Sequence, residues 1–223
     1  MSSSTRPPAR RALPTLCFTL LASSLAMQAC SDMMLYRAGH DYFPLAAASR
    51  WTYESGSYTA IDSVGADSTV GGRRAITIYR NFAPEFWLKS PTEIRRWTLR
   101  TAIRNGTEYV LEAQYGLIYR LPFVEGASWT ETFRDTVVLL GTDTIVVLDS
   151  VQARVSAIEE LSTEAGTFQQ CYRVDYSRVV HADTSLTEQY SEWLAPGVGL
   201  VQRVAGSETQ VLVNYHIGPL PGD

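Results

Sequence analysis

Histidine, cysteine and grouped carboxylates are the side chains from which nucleophilic, acid–base and metal chemistry is most often built, and this chain spends few of them together. His40, His181 and His216 are far apart, and none has a second His or Cys at ligand spacing, so no zinc site is expected. No Gly-x-Ser-x-Gly elbow, Gly-rich phosphate loop or His-Glu-x-x-His occurs. Asp135, Asp143 and Asp149 offer hard oxygens but lack the dense alternation of a calcium loop, and they read as turn residues. Glu159, Glu160 and Glu164 read as the solvated flank of a loop. Cys171 sits in an alternating run with no base nearby in sequence, which suits a small buried hydrophobe better than a reactive thiol. With Cys17 inside the N-terminal apolar run, the three cysteines make no disulfide framework. No catalytic residue, metal ligand or cofactor is assigned, and a non-enzymatic protein is the expectation.

Cys30 is the one residue with a definite chemical expectation. Residues 1–11 form a positive n-region, and Ala12 to Ala26 form an apolar run too short for a comfortable membrane span. The run ends at Met27-Gln28-Ala29-Cys30, which resembles a bacterial lipobox. That resemblance implies cleavage after Ala29 and acylation of Cys30, with palmitate-type chains holding the domain at a membrane. Several acyl chains anchor far better than one. Ser31 follows the cysteine where Asp would signal inner-membrane retention, so the outer membrane is expected over the inner. The competing reading is an ordinary signal peptide cleaved near Ala29 and a secreted protein with no anchor. The organisation expected is a lipoprotein signal peptide at 1–29, a tether at 30–40, one all-β domain at 41–218 and a tail at 219–223.

The elements after Asp41 must be strands. The chain is 45% apolar and 19% charged, ordinary globular composition. Its formal charge is −4; without the first 29 residues it has 16 basic against 23 acidic residues, a balance that argues against nucleic acid as a partner. Short alternating runs are punctuated by Gly, Asn, Asp and Pro, with no helical period beyond two turns. Trp51 to Ser63, Arg74 to Arg80, Arg96 to Arg104, Thr107 to Tyr115, Thr136 to Leu140, Thr144 to Leu148, Val151 to Ile158, Thr167 to Val180, Leu186 to Leu194, Leu200 to Val204 and Gln210 to Ile217 read as strands. Around Asn105-Gly106 a three-residue loop would pair Leu99 with Leu111 and Trp97 with Ala113, matching apolar with apolar, and is preferred to a two-residue one. Residues 81–92, with two prolines, read as irregular, placing Phe82, Phe86 and Trp87 at one end of the sheet. The fold class expected is all-β: an antiparallel, strongly curved sheet or half-barrel meander.

One phrase occurs twice. Pro44 precedes Trp51 by seven residues, as Pro122 precedes Trp129, and Thr follows each tryptophan. Gly116 to Leu121 and Gly199 to Val204 also resemble each other, which suggests two similar halves, 42–120 and 121–217, sharing one core. Tyr42-Phe43-Pro44-Leu45 with Trp51-Thr52-Tyr53, Gly166-Thr167-Phe168-Gln169-Gln170-Cys171 and Gly197-Val198-Gly199-Leu200-Val201 resemble a loosely defined group of bacterial envelope lipoproteins. The group's usual glycine in the opening spacer is absent from Ala46 to Ala48. A looser fold-level similarity is to carriers of the lipoprotein-localisation type. The resemblance implies an envelope lipoprotein that binds an apolar ligand or serves as a structural or assembly component. Trp51, Trp97, Trp129, Phe82, Phe86 and Trp87 are the candidate ligand-facing or core aromatics. The alternatives are a hydrolase-type enzyme with a site assembled from loops, and an envelope protein partner in place of a small ligand. The anchor is directly testable: mass spectrometry of protein from its native membrane should find acyl mass on Cys30, and Cys30→Ser should leave the membrane fraction. An unmodified chain beginning beside Ala29 would refute it.

Overall fold

The computed structural model describes residues 41–56, 58–104, 107–138, 144–181 and 185–218. Cys30, the leader, the tether with His40, Asn105-Gly106, Gly141-Thr142-Asp143, Ala182-Asp183 and the tail 219–223 lie outside the described residues. The described strands of the first half are β1 (Arg50–Ser55), β2 (Tyr58–Val64), β3 (Ser68–Val70), β4 (Arg73–Arg80), β5 (Ala83–Lys89), β6 (Glu93–Thr98), β7 (Thr101–Arg104), β8 (Thr107–Val110) and β9 (Gln114–Arg120). Those of the second are β10 (Ser128–Val138), β11 (Thr144–Thr163), β12 (Gly166–His181), β13 (Ser185–Ala195), β14 (Gly199–Ala205) and β15 (Glu208–His216).

Thirteen strands form one antiparallel sheet, in the order β10-β11-β12-β13-β14-β15-β1-β2-β4-β5-β6-β9, with β3 on β4; β7 and β8 form a separate hairpin. The sheet curls into a nearly closed barrel. The first and last strands meet in register, Trp51 opposite Tyr215 and Tyr53 opposite Leu212. The break in the ring falls between β9 and β10, and side chains close it where no ladder runs. Alternate residues of β10 reach across: the Glu131 carboxylate accepts the Leu117 amide and pairs with Arg95 at 3.0 Å. Phe133 lies so near Gly116 that a Cβ there would stand 3.3 Å from its ring, and Asp135 pairs with the buried Arg100. An inward carboxylate on an edge strand also discourages pairing with foreign chains.

The two proline phrases plug one end. Tyr42 from the first meets Phe123 from the second, with ring centroids 4.8 Å apart, and Phe43 meets Tyr119 of β9 at 4.6 Å. Phe123 is fully buried and Trp129 stacks beside it at 6.5 Å. The phrases also fold alike. Ser49 donates to the Ala46 carbonyl at 3.1 Å, and Ala127, 78 positions on, donates to Val124 at 2.9 Å. Ser49 and Ala127 then accept from Val64 and Val155, both at 2.9 Å. Ala48 (φ 67°) and Gly126 (φ 84°) hold the same left-handed place in each turn. Where the second phrase has Gly126, the first has Ala48.

Several expectations are corrected. Residues 81–92 are not irregular: β5 occupies 83–89, paired on both sides, because only Pro84 of the two prolines enters the strand, near its start. The hairpin at 101–110 has Arg104 opposite Thr107, the register of the two-residue loop. The apolar matching that favoured the other register assumed one strand from 96 to 104. The chain instead breaks at Leu99-Arg100, where Arg100 is buried against Asp135, and Trp97 pairs with Tyr115 on β9. Glu159 to Thr163 continue β11 past two bulges, and the hairpin packs Leu161, Ala165 and Phe168 onto a second cluster containing Cys171, Trp193 and Leu212.

The paired turns give a stability prediction. A non-glycine residue in the left-handed region is strained, and a Cβ at Gly126 would meet no atom within 4 Å, so only the backbone term differs. Ala48→Gly should gain about 0.5–1 kcal/mol and Gly126→Ala should lose about as much, read by denaturant unfolding.

Candidate functional site

Strand alternation turns six ionic side chains inward. Asp62 stands opposite Arg80 across β2–β4, and Glu192 opposite Arg203 across β13–β14. Glu85 faces inward from β5, and Arg96 lies opposite Trp87 across β5–β6. Arg80 grips Asp62 with a fork: Nη2 reaches Oδ2 at 2.9 Å and Nε lies 3.2 Å from each oxygen. Glu85 accepts the Trp87 indole at 3.0 Å and lies 3.4 Å from Arg96 and 3.7 Å from Arg80. Glu192 accepts the Tyr119 hydroxyl at 2.6 Å, while Arg203 approaches its other oxygen only to 3.8 Å. Three acids therefore face three arginines inside the barrel.

All of these but Glu85 border a partly enclosed cavity of about 60 Å³, which Tyr53, Tyr119 and Tyr190 and the apolar Phe43, Leu45, Trp51, Trp87 and Ile118 also line. Arg80 and Arg203 also border a hollow of about 270 Å³ with Tyr58, Asn81 and Glu208, so the two residues border both spaces. Burial pushes the Asp62 carboxyl up, against the pull of Arg80. Burial also drives the Tyr53 and Tyr119 phenols well above 10, and Tyr190 is pushed up to about 12 by burial and the Glu192 charge. All three stay protonated at neutral pH. Tyr190 stacks on Tyr176 at 4.5 Å, and the Arg203 guanidinium lies 4.6 Å over the Tyr190 ring. A second, open groove of about 680 Å³ crosses β10 to β14, lined by Thr130, Gln152, Arg154, Asp175, Ser177 and Gln189.

Of the six candidate aromatics, Trp51 and Trp87 border the cavity. Trp129 belongs to the plug. Trp97 is half-buried on the opposite face of β6 from Arg96, against Tyr115 at 4.9 Å. Phe86 is half-buried, and Phe82 is 90% exposed in a strained turn (φ 71°), outside any core. Asp135 and Asp149 are strand residues paired with Arg100 and Arg178, not turn residues. Cys171 is fully buried, and burial with the Glu159 charge pushes its thiol up to about 11, far from thiolate character. Sequence reasoning missed the belt itself. The signal was a charge in the apolar phase of a strand: Asp62 between Ala60 and Val64, and Glu192 between Tyr190 and Leu194.

A protein-family model described as DUF3108-like matches residues 141–215. No curated protein matches the chain. Among solved structures, an inferred lipoprotein from Parabacteroides distasonis is similar at 13% identity, with 80% of this chain and 99% of that one covered and a TM-score of 0.43. An inferred exported protein with a YmcC-like fold from Bacteroides fragilis is similar at 11% identity, covering 80% of this chain and 100% of that one, with a TM-score of 0.39.

The belt makes a prediction by double substitution. Removing one member of a buried pair strands the other charge, whereas replacing both with apolar groups is often neutral or better. Arg80→Met should cost about 2–3 kcal/mol, trimmed because Arg80 is 31% exposed, and Asp62→Leu/Arg80→Met should recover most of it in denaturant unfolding.

Proposed function

We propose that this is a cell-envelope lipoprotein held to a membrane, the outer rather than the inner, by acylated Cys30. Its β-domain is a non-enzymatic binding module that takes a small ligand at the cavity inside the barrel. The observation that carries the reading is the inward belt of Asp62, Arg80, Arg96, Glu192 and Arg203 around that cavity, with Glu85 beside two of its arginines. Asp62 and Glu192 are buried while the partner arginines are about a third exposed, and buried charge seldom stabilises a fold more than apolar packing would, so these acids mark a place where charge is used. The lining acids are engaged by arginine or tyrosine, which suits holding a ligand better than moving a proton.

The size of the space narrows the ligand. About 60 Å³ admits a handful of water-sized groups, against about 300–1,000 Å³ for drug-sized sites. An acyl chain does not fit; a small molecule, or the end of a larger one, does. The groove over β10 to β14 favours a second reading, an assembly component whose partner lies in that groove, where Trp129, Tyr176 and Tyr190 stand among the polar side chains. Native mass spectrometry of protein extracted from its own membrane tests the first. The expected result is acylated chain carrying a small bound mass that Arg80→Met releases. Ligand-free chain whose membrane partner is lost on Gln152→Glu, in the groove, would establish the second reading instead.

A further inference from the structure

The belt is not evenly satisfied, and its loose member identifies what it lacks. Arg80 is committed to Asp62 by a fork, and Arg96 donates to Glu85 at 3.4 Å. Arg203 is different. Its Nε is buried and has no hydrogen-bond partner among the described residues, and its nearest carboxylate, Glu192, is 3.8 Å away and already takes the Tyr119 hydroxyl. A buried donor without an acceptor costs about 1–3 kcal/mol, so an arginine left this way beside a cavity points to an acceptor that belongs there. The guanidinium carbon lies 4.6 Å from the centre of the Tyr190 ring, a cation–π contact that helps to hold the group in place beside the cavity.

We propose that the cavity is a carboxylate site, in which Arg203, backed by Arg96, receives the head of a small monocarboxylate and Phe43, Leu45 and Ile118 cover its short apolar body. This assignment rests on the binding-module reading above. The phenols and guanidiniums around the cavity are donors, and Asp62, Glu85 and Glu192 each already accept from an arginine, tryptophan or tyrosine, so a guest acceptor competes only with the Glu192 oxygen 3.8 Å from Arg203 Nε. Two acids, Asp62 and Glu192, and three arginines, Arg80, Arg96 and Arg203, line the cavity, so a single negative charge is admitted where a polyanion would exceed the balance and face both acids. The cavity volume of about 60 Å³ suits a carboxylate with a few carbons.

Titrating the full chain in detergent with butyrate, butyramide and inorganic phosphate separates the outcomes, followed by calorimetry and by the arginine Nε–H resonances in NMR. Saturable butyrate binding is expected, with a shift of the Arg203 Nε–H signal, at least tenfold weaker binding of butyramide, and at least tenfold weaker butyrate binding in Arg203→Gln. Arg203→Lys, which keeps the charge and loses the Nε donor, should also weaken butyrate while its unfolding midpoint stays near that of the parent. Equal binding of butyramide, a preference for phosphate, or undiminished binding in Arg203→Gln would overturn the carboxylate assignment. A neutral compound bound to the native protein, with no response to butyrate, would overturn it too and leave the binding-module reading standing. Ligand-free native protein that also ignores every probe would remove both.

Discussion

The ladder between β1 and β15 is the contact on which the rest of the domain depends. It joins the first and last strands, Trp51 to Tyr215 and Tyr53 to Leu212, and so turns a meander into a ring. Once that ladder forms, the inward residues of both halves share one small volume. Asp62–Arg80 and Glu192–Arg203, more than a hundred residues apart in sequence, then face the same cavity. The ring's opening is displaced to the β9–β10 edge, where Glu131, Phe133 and Asp135 do the closing that main-chain bonds do elsewhere. Leu117, whose amide points at the gap, would otherwise leave a polar group unpaired near the core, and Glu131 answers it.

What fills the ring follows from its size. Large aromatic rings occupy the plugged end, a second apolar cluster forms around Cys171, Trp193 and Leu212, and long charged side chains that carry both apolar stems and polar heads border the cavity. The cavity bordered by the charged belt, about 60 Å³, is smaller than a lipid chain. The apolar-ligand expectation raised by the aromatic content therefore shrinks to the apolar wall of a cavity whose other wall is charged. Trp51 shows the division: its ring borders the cavity while its indole donates to the Val198 carbonyl at 2.6 Å, so it is structural and lining at once.

The fold class was legible because alternation is local: Gln210 to Ile217 and Leu200 to Val204 show a period of two without any knowledge of partners. Which face turns inward is not local. The run Arg96-Trp97-Thr98-Leu99 invites the tryptophan into the core and the arginine out. The barrel does the reverse, because Arg96 sits opposite Trp87 while Trp97 finds cover against Tyr115 and beside Gly71 on the other side. The hairpin register failed for the same reason, since the apolar match was counted along a strand that Arg100 interrupts. The belt stayed hidden because each of its charges is a lone residue in an apolar strand, and its partner is set by the ring's closure.

The repeated phrases show how far one half resembles the other. The openings are one device used twice, with the same turn, the same left-handed residue and the same pairing onward to Val64 and Val155. The closing phrases are not equivalent. Gly116 to Leu121 lies on β9, the last strand of its half on the sheet path, whereas Gly199 to Val204 lies on β14, the last but one. Their matching arginines part company accordingly: Arg120 is exposed opposite Glu93 on an edge, and Arg203 borders the cavity. Similar wording thus serves construction at one end of each half and diverges at the other. The charged interior draws Asp62, Arg80, Glu85 and Arg96 from the first half and Glu192 and Arg203 from the second, so neither half taken alone contains the site.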